Sequence, residues 1–159
     1  MATRHRAAAP GAAALLAPVL VLLLVGCATA QPVLRAPQGF AVYDGDGPWR
    51  AVSPEGVALR ARLVPNEPPQ TLEFWAEALK VQLEKSGYTL TAEERLVTDT
   101  GNVHILEWAA PVGEEDWIYL TALAVLKQGI AVAEAAGEYT LYRKHRQAIL
   151  DSLETLSVR

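Results

Sequence analysis

The chain predicts an α+β domain in which an antiparallel sheet packs against amphipathic helices. Three observations carry this reading: an apolar stripe at helical spacing between residues 71 and 86, closely spaced β-rich runs from 88 to 135, and a second helical stripe between 138 and 156. Two strands, a helix, a meander and a last helix is the resulting order. Each helical stripe has to be buried, and a sheet face is the surface that the strands provide.

The first segment is read as processed rather than folded. Arg4 and Arg6 precede an apolar stretch from Ala7 to Val25, and Gly26 and Ala28 flank Cys27, the single cysteine of the 159 residues. A basic start, an apolar run and small residues at its end are the parts of a secretory signal. The run approaches the ~20 residues of a membrane span. Pro10, Pro18 and its many alanines weigh against that competing reading. Leu24-Val25-Gly26-Cys27 resembles a bacterial lipobox. The resemblance implies cleavage before a lipid-modified Cys27, a signal peptide over 1–26, and membrane lipid as the partner of the acylated cysteine. It places the protein in the bacterial cell envelope, and Ala28, standing where a retention aspartate would sit, points to the outer membrane facing the periplasm. More than one acyl chain is needed for firm attachment, because a single chain binds marginally.

Removing residues 1–26 leaves 133 of the 159, enough for one core. It also takes two of the 14 basic residues and none of the 18 acidic ones, moving the formal charge from −4 to −6. A net negative domain is a poor match for nucleic acid. With Cys27 modified no thiol remains, which excludes disulfides, thiol catalysis and cysteine-bound metals in the mature domain.

Residues 27–39 carry Pro32 and Pro37 without periodicity and read as a flexible tether, with an edge strand docked on the domain as the rival reading. A dozen extended residues reach ~35 Å at most. The single domain is expected over 40–159. Phe40, Val42 and Tyr43 suggest a strand, closed by the turn signal Asp44-Gly45-Asp46-Gly47-Pro48. Val57, Leu59, Ala61 and Leu63 alternate with Arg60 and Arg62, as in a half-buried strand whose arginines face solvent. Pro65 to Pro69 interrupts any strand and leads to Thr71, a helix cap. Leu72, Trp75, Ala76, Leu79 and Leu83 then form one stripe, and Gly87 ends the helix.

Tyr88–Thr91, Arg95–Thr98, Val103–Trp108, Trp117–Leu123 and Gly129–Ala135 follow as strands joined by short turns, an antiparallel meander. Tyr142, His145, Ile149, Leu153 and Leu156 share a face of the last helix. The helix Phe74-Trp75-Ala76-Glu77-Ala78-Leu79, the Gly101 hairpin, the run Ile130 to Gly137 and the ending Ile149-Leu150-Asp151-Ser152-Leu153 together resemble the PsbP-like fold, and within it the DcrB-like envelope lipoproteins. The resemblance implies a PsbP-like α/β/α sandwich, an antiparallel sheet covered by helices on both faces. Members serve as accessory subunits or envelope lipoproteins, and no binding residue carries over from them.

Candidate sites are few. Asp44, Asp46 and Glu55 fall at the first, third and twelfth positions of a calcium loop, yet Pro48 and Trp49 occupy its fifth and sixth, where a ligand and a glycine belong. His104 is mid-strand with Glu107 on the opposite face by parity, and His145 lies within Arg143-Lys144-His145-Arg146; neither has ligands or a nucleophile at useful spacing. Glu114-Glu115-Asp116 reads as a solvated turn, and Trp49, Trp75, Trp108 and Trp117 as packing residues. The expected catalytic residues, metal ligands and cofactors are therefore none. The expected function is a non-enzymatic accessory or assembly factor working through contacts with an envelope protein. The alternative is a small-ligand module with a cleft between sheet and helix.

Overall fold

The computed structural model describes residues 30–43, 45, 47–113 and 115–158. The elements are β1 (Pro32–Val33), β2 (Ala41–Val42), β3 (Trp49–Val52), β4 (Ala58–Val64), α1 (Leu72–Lys85), β5 (Thr89–Thr98), β6 (Gly101–Ala110), β7 (Trp117–Leu126), β8 (Gly129–Glu138), α2 (Tyr139–Leu153) and β9 (Ser157–Val158). Seven strands form one antiparallel sheet in the order β2-β3-β4-β8-β7-β6-β5, as the α+β reading expects. The meander β5 to β8 supplies one half. Pairing of β4 with β8 joins it to the first three strands of that sheet, with Arg60 opposite Glu134 and Val64 opposite Ile130.

β8 is central and almost entirely buried, which its small side chains allow: alanines at 131, 133, 135 and 136 let neighbouring elements approach. The core divides into two clusters that draw on alternate residues of the same strands. Ala131, Ala133, Ala135, Leu120 and Ala122 pack with Ile149, Leu150 and Leu153 of α2. Ile130, Val132 and Leu123 pack with Ala76, Leu72, Trp75 and Leu79 of α1. Successive strand residues point to opposite faces, so this alternation follows the two-residue period of a strand.

The helices are seated unequally. α2 buries Tyr142, Ile149, Leu150, Ser152 and Leu153, whereas α1 buries only Ala76. Local signals fix both ends of α1: the Thr71 hydroxyl accepts from the Phe74 amide at 3.3 Å, and Gly87 follows it at φ +88°. α2 begins where the Glu138 carboxylate accepts from the amides of Thr140 and Leu141 at 2.9 and 3.0 Å.

Several expectations need correction. Within the segment read as a tether, Pro32–Val33 pairs with Ser157–Val158, Leu34 is buried, and the Arg35 amide donates to the Thr155 hydroxyl at 2.8 Å. The docked edge strand is therefore what Pro32–Val33 forms, and Pro32, Leu34 and Pro37 are buried with it. Trp49–Val52 is a strand in a stretch to which the sequence assigns no element, and Thr89–Thr98 is one long strand, bulged between Leu90 and Ala92, rather than two short ones. The signal peptide over 1–26 and the lipobox lie outside the described residues. Among the described residues no helix is long and apolar enough to cross a membrane.

Candidate functional site

The loose seating of α1 leaves a cleft of about 310 Å³ between that helix and the sheet. Trp75, Ala78 and Leu79 form its helical wall, and Val64, Leu123, Ile130 and Val132 its sheet wall. Sequence parity explains the wall: these strand residues all belong to the face that α1 covers. The loop before α1 closes one side. Asn66 fixes it, its Oδ1 accepting from the Trp75 indole at 2.8 Å and from the Gln70 amide at 2.9 Å.

A polar cluster ends the apolar surface. Glu134, buried in the middle of β8, accepts from Tyr119 Oη at 2.5 Å through Oε1. Its Oε2 accepts from Arg60 Nε at 2.7 Å and from Arg62 Nε at 3.2 Å. Burial pushes the Glu134 carboxyl up, but the Arg60 and Tyr119 hydrogen bonds and the arginine charges outweigh it, holding it below the usual carboxylate range. Burial first, and then the bond to Glu134, raise the Tyr119 phenol well above its ordinary value. The cluster therefore holds two guanidiniums, one carboxylate and a neutral phenol, a formal charge of +1. A second cleft of about 400 Å³, lined by Tyr43, Arg50 and Arg60, meets the same Tyr119 and Glu134.

The residues singled out from sequence are not brought together. Cys27, Leu24, Val25 and Gly26 lie outside the described residues, as do Asp44, Asp46 and Glu114. Glu55, the last position of the calcium pattern, instead lies 3.1 Å from the His145 ring, which Phe40 meets edge-on at 5.2 Å. Glu115 and Asp116 are exposed. His104 is buried, with Nε2 2.6 Å from Glu93 and Nδ1 without a partner among the described residues. Lys80 joins α1 to β5 at that point, donating to Glu77 at 2.8 Å and to Glu93 at 2.9 Å. From α2, Arg146 binds Glu107 through Nε at 2.8 Å and also reaches Glu94. The basic run therefore supplies a structural ion pair. Trp108 is fully buried and donates to Thr121 at 3.3 Å; Trp75 is half-buried in the cleft wall. Among the described residues, no three His, Cys, Asp or Glu side chains are grouped to hold a metal.

Glu134, Arg60, Arg62 and Tyr119 escaped the sequence reading as a site. One signal pointed to them: a single carboxylate inside the apolar run from Ile130 to Ala136 requires a partner, and the outward arginines of β4 are spaced to supply it.

Comparison with known proteins places the architecture and nothing further. No protein-family profile matches the chain, and no curated protein is similar to it. Among solved structures it is similar to PA94, a Pseudomonas aeruginosa protein of unknown function, with a TM-score of 0.54 and 10% identity over 76% of this chain and 97% of that one. It is also similar to the cyanobacterial PsbP (CyanoP) of Synechocystis sp. PCC 6803, with a TM-score of 0.49 and 14% identity over 85% of this chain and 95% of that one. An antiparallel sheet carrying two helices is the fold shared with PA94.

Proposed function

We propose that this chain is a binding module of the bacterial cell envelope, held to membrane lipid through an acylated Cys27, whose cleft beneath α1 takes a small, largely apolar ligand. The cleft carries the reading: about 310 Å³ of apolar-walled space ends on a few convergent polar groups, the make-up of small-molecule sites. The finer fold assignment belongs to the same proposal. A PsbP-like α/β/α layering, with α1 and α2 on opposite faces, is supported by the alternate residues of β7 and β8 that enter the two core clusters. Binding is favoured over catalysis because the cleft's carboxylate is held below the usual carboxylate range and accepts from two guanidiniums and a phenol, which makes it a weak base with no proton to give near neutral pH.

The test is the neutral fluorescent probe N-phenyl-1-naphthylamine added to the full chain. Enhancement that Ala78→Trp abolishes, by filling the cleft wall, supports the reading. No enhancement with the unaltered chain, or full enhancement with Ala78→Trp, overturns it.

One observation favours the accessory-factor reading as a second choice. Phe74 and Val81 lie two turns apart on one face of α1, and each is 49% exposed. Cross-linking of the full chain in native envelopes should then capture one specific protein, and Phe74→Glu should release it.

A further inference from the structure

We infer that the ligand of the α1 cleft is an amphipathic monocarboxylate, its apolar body between α1 and the sheet and its carboxylate on Arg62. This rests on the cleft being a ligand site, as proposed above, and adds the chemical class of the occupant. Among the described residues, Arg62 is the one cation that lines the cleft. It spends only Nε on Glu134, at 3.2 Å, and its two Nη nitrogens have no acceptor among the described residues. Its side chain is 40% exposed, so the fork is reachable without unpacking the sheet. A guanidinium presents parallel N–H donors that match the two oxygens of a carboxylate.

Charge narrows the choice further. The cluster of Arg60, Arg62, Glu134 and Tyr119 carries +1, so one carboxylate neutralises it. A cation would be repelled, a neutral headgroup would gain nothing from the excess charge, and a dianion would overshoot it. The rest of the cleft, Val64, Trp75, Leu79, Leu123, Ile130 and Val132, offers mainly apolar contact; of its polar atoms, the Trp75 indole N–H is engaged by Asn66 and the Thr121 hydroxyl accepts from the Trp108 indole. Such a wall is filled by an alkyl or aryl body, which loses water as it enters.

Isothermal titration of the full chain with octanoate, octan-1-ol and octylammonium tests the assignment. Octanoate should bind about tenfold more tightly than octan-1-ol, and octylammonium most weakly. Arg62→Met should weaken octanoate about tenfold while leaving octan-1-ol unchanged, and Arg62→Lys should recover part of the loss. Arg60→Met also removes a guanidinium from Glu134, but from outside this cleft, and should weaken octanoate less than Arg62→Met does. Equal affinity for octanoate and octan-1-ol, or equal losses in Arg62→Met and Arg60→Met, would overturn the carboxylate assignment while N-phenyl-1-naphthylamine still bound. Failure of that neutral probe as well would remove the ligand site itself.

Discussion

The Tyr119 hydroxyl donates to Glu134 at 2.5 Å across the pairing of β7 with β8. Among the described residues it is the one neutral donor to a carboxylate otherwise held by arginines. Tyr119→Phe keeps the ring and deletes this donor. Hydrogen bonds to charged groups contribute about 1.5–3 kcal/mol, so the urea midpoint should fall by the equivalent of roughly 1.5 kcal/mol. An unaltered midpoint would show that water replaces the phenol without cost.

Acid should act through Glu134. Its folded pKa lies below the ordinary carboxylate value, so its contribution is complete above that ordinary value and disappears as pH falls through the lower folded one. Urea unfolding of the wild type and Glu134→Gln across pH should therefore show their widest gap near neutrality. The gap should close in the acid range. A gap independent of pH would assign the loss to packing.

Gly129 stands where β8 starts against the end of β4. Its φ is +142°, and a Cβ there would lie 2.4 Å from the Val64 carbonyl oxygen. Both strain and overlap oppose any side chain. Gly129→Ala should cost about 2 kcal/mol, read as a lower thermal midpoint. Wild-type stability in that variant would mean the strand ends separate freely.

Asn66 accepts from both the Trp75 indole and the Gln70 amide. Asn66→Ala leaves two partly buried donors without their acceptor, at about 1–3 kcal/mol. Fluorescence enhancement of N-phenyl-1-naphthylamine should also fall, because Trp75 is a wall of the cleft. Undiminished enhancement would show that packing alone positions the indole.

Replacement of the proposed lipid attachment site, Cys27→Ala, should block acylation and leave an unprocessed precursor on a gel. Normal processing and membrane retention in that variant would remove the lipoprotein reading.

Periodicity made the long elements legible. α1 announces itself through Leu72, Trp75 and Leu79, and β4 through Leu59 and Ala61 with Val57 just ahead of it, since each has a single buried side and a period to match. β1 and β9 are two-residue strands, too short to hold a period, and their pairing spans most of the chain. Trp49–Val52 was hidden behind a turn signal that ends one residue before it. The Glu134 cluster depends on which strand lies beside β8. That neighbour is β4, separated from it in sequence by α1 and the first three meander strands, and local spacing carries no record of such a partner.

The clasp between Pro32–Val33 and Ser157–Val158 bears on how the domain is leashed. Only residues 28–31 separate Cys27 from β1, a reach of ~14 Å when fully drawn out. For a chain held at that cysteine, as proposed, tension would enter beside β9 and be shared with the last turn of α2 through the Ser152 hydroxyl, which donates to the Arg35 carbonyl at 2.6 Å. A domain anchored as proposed would hang close to its mooring, instead of drifting on a long cord.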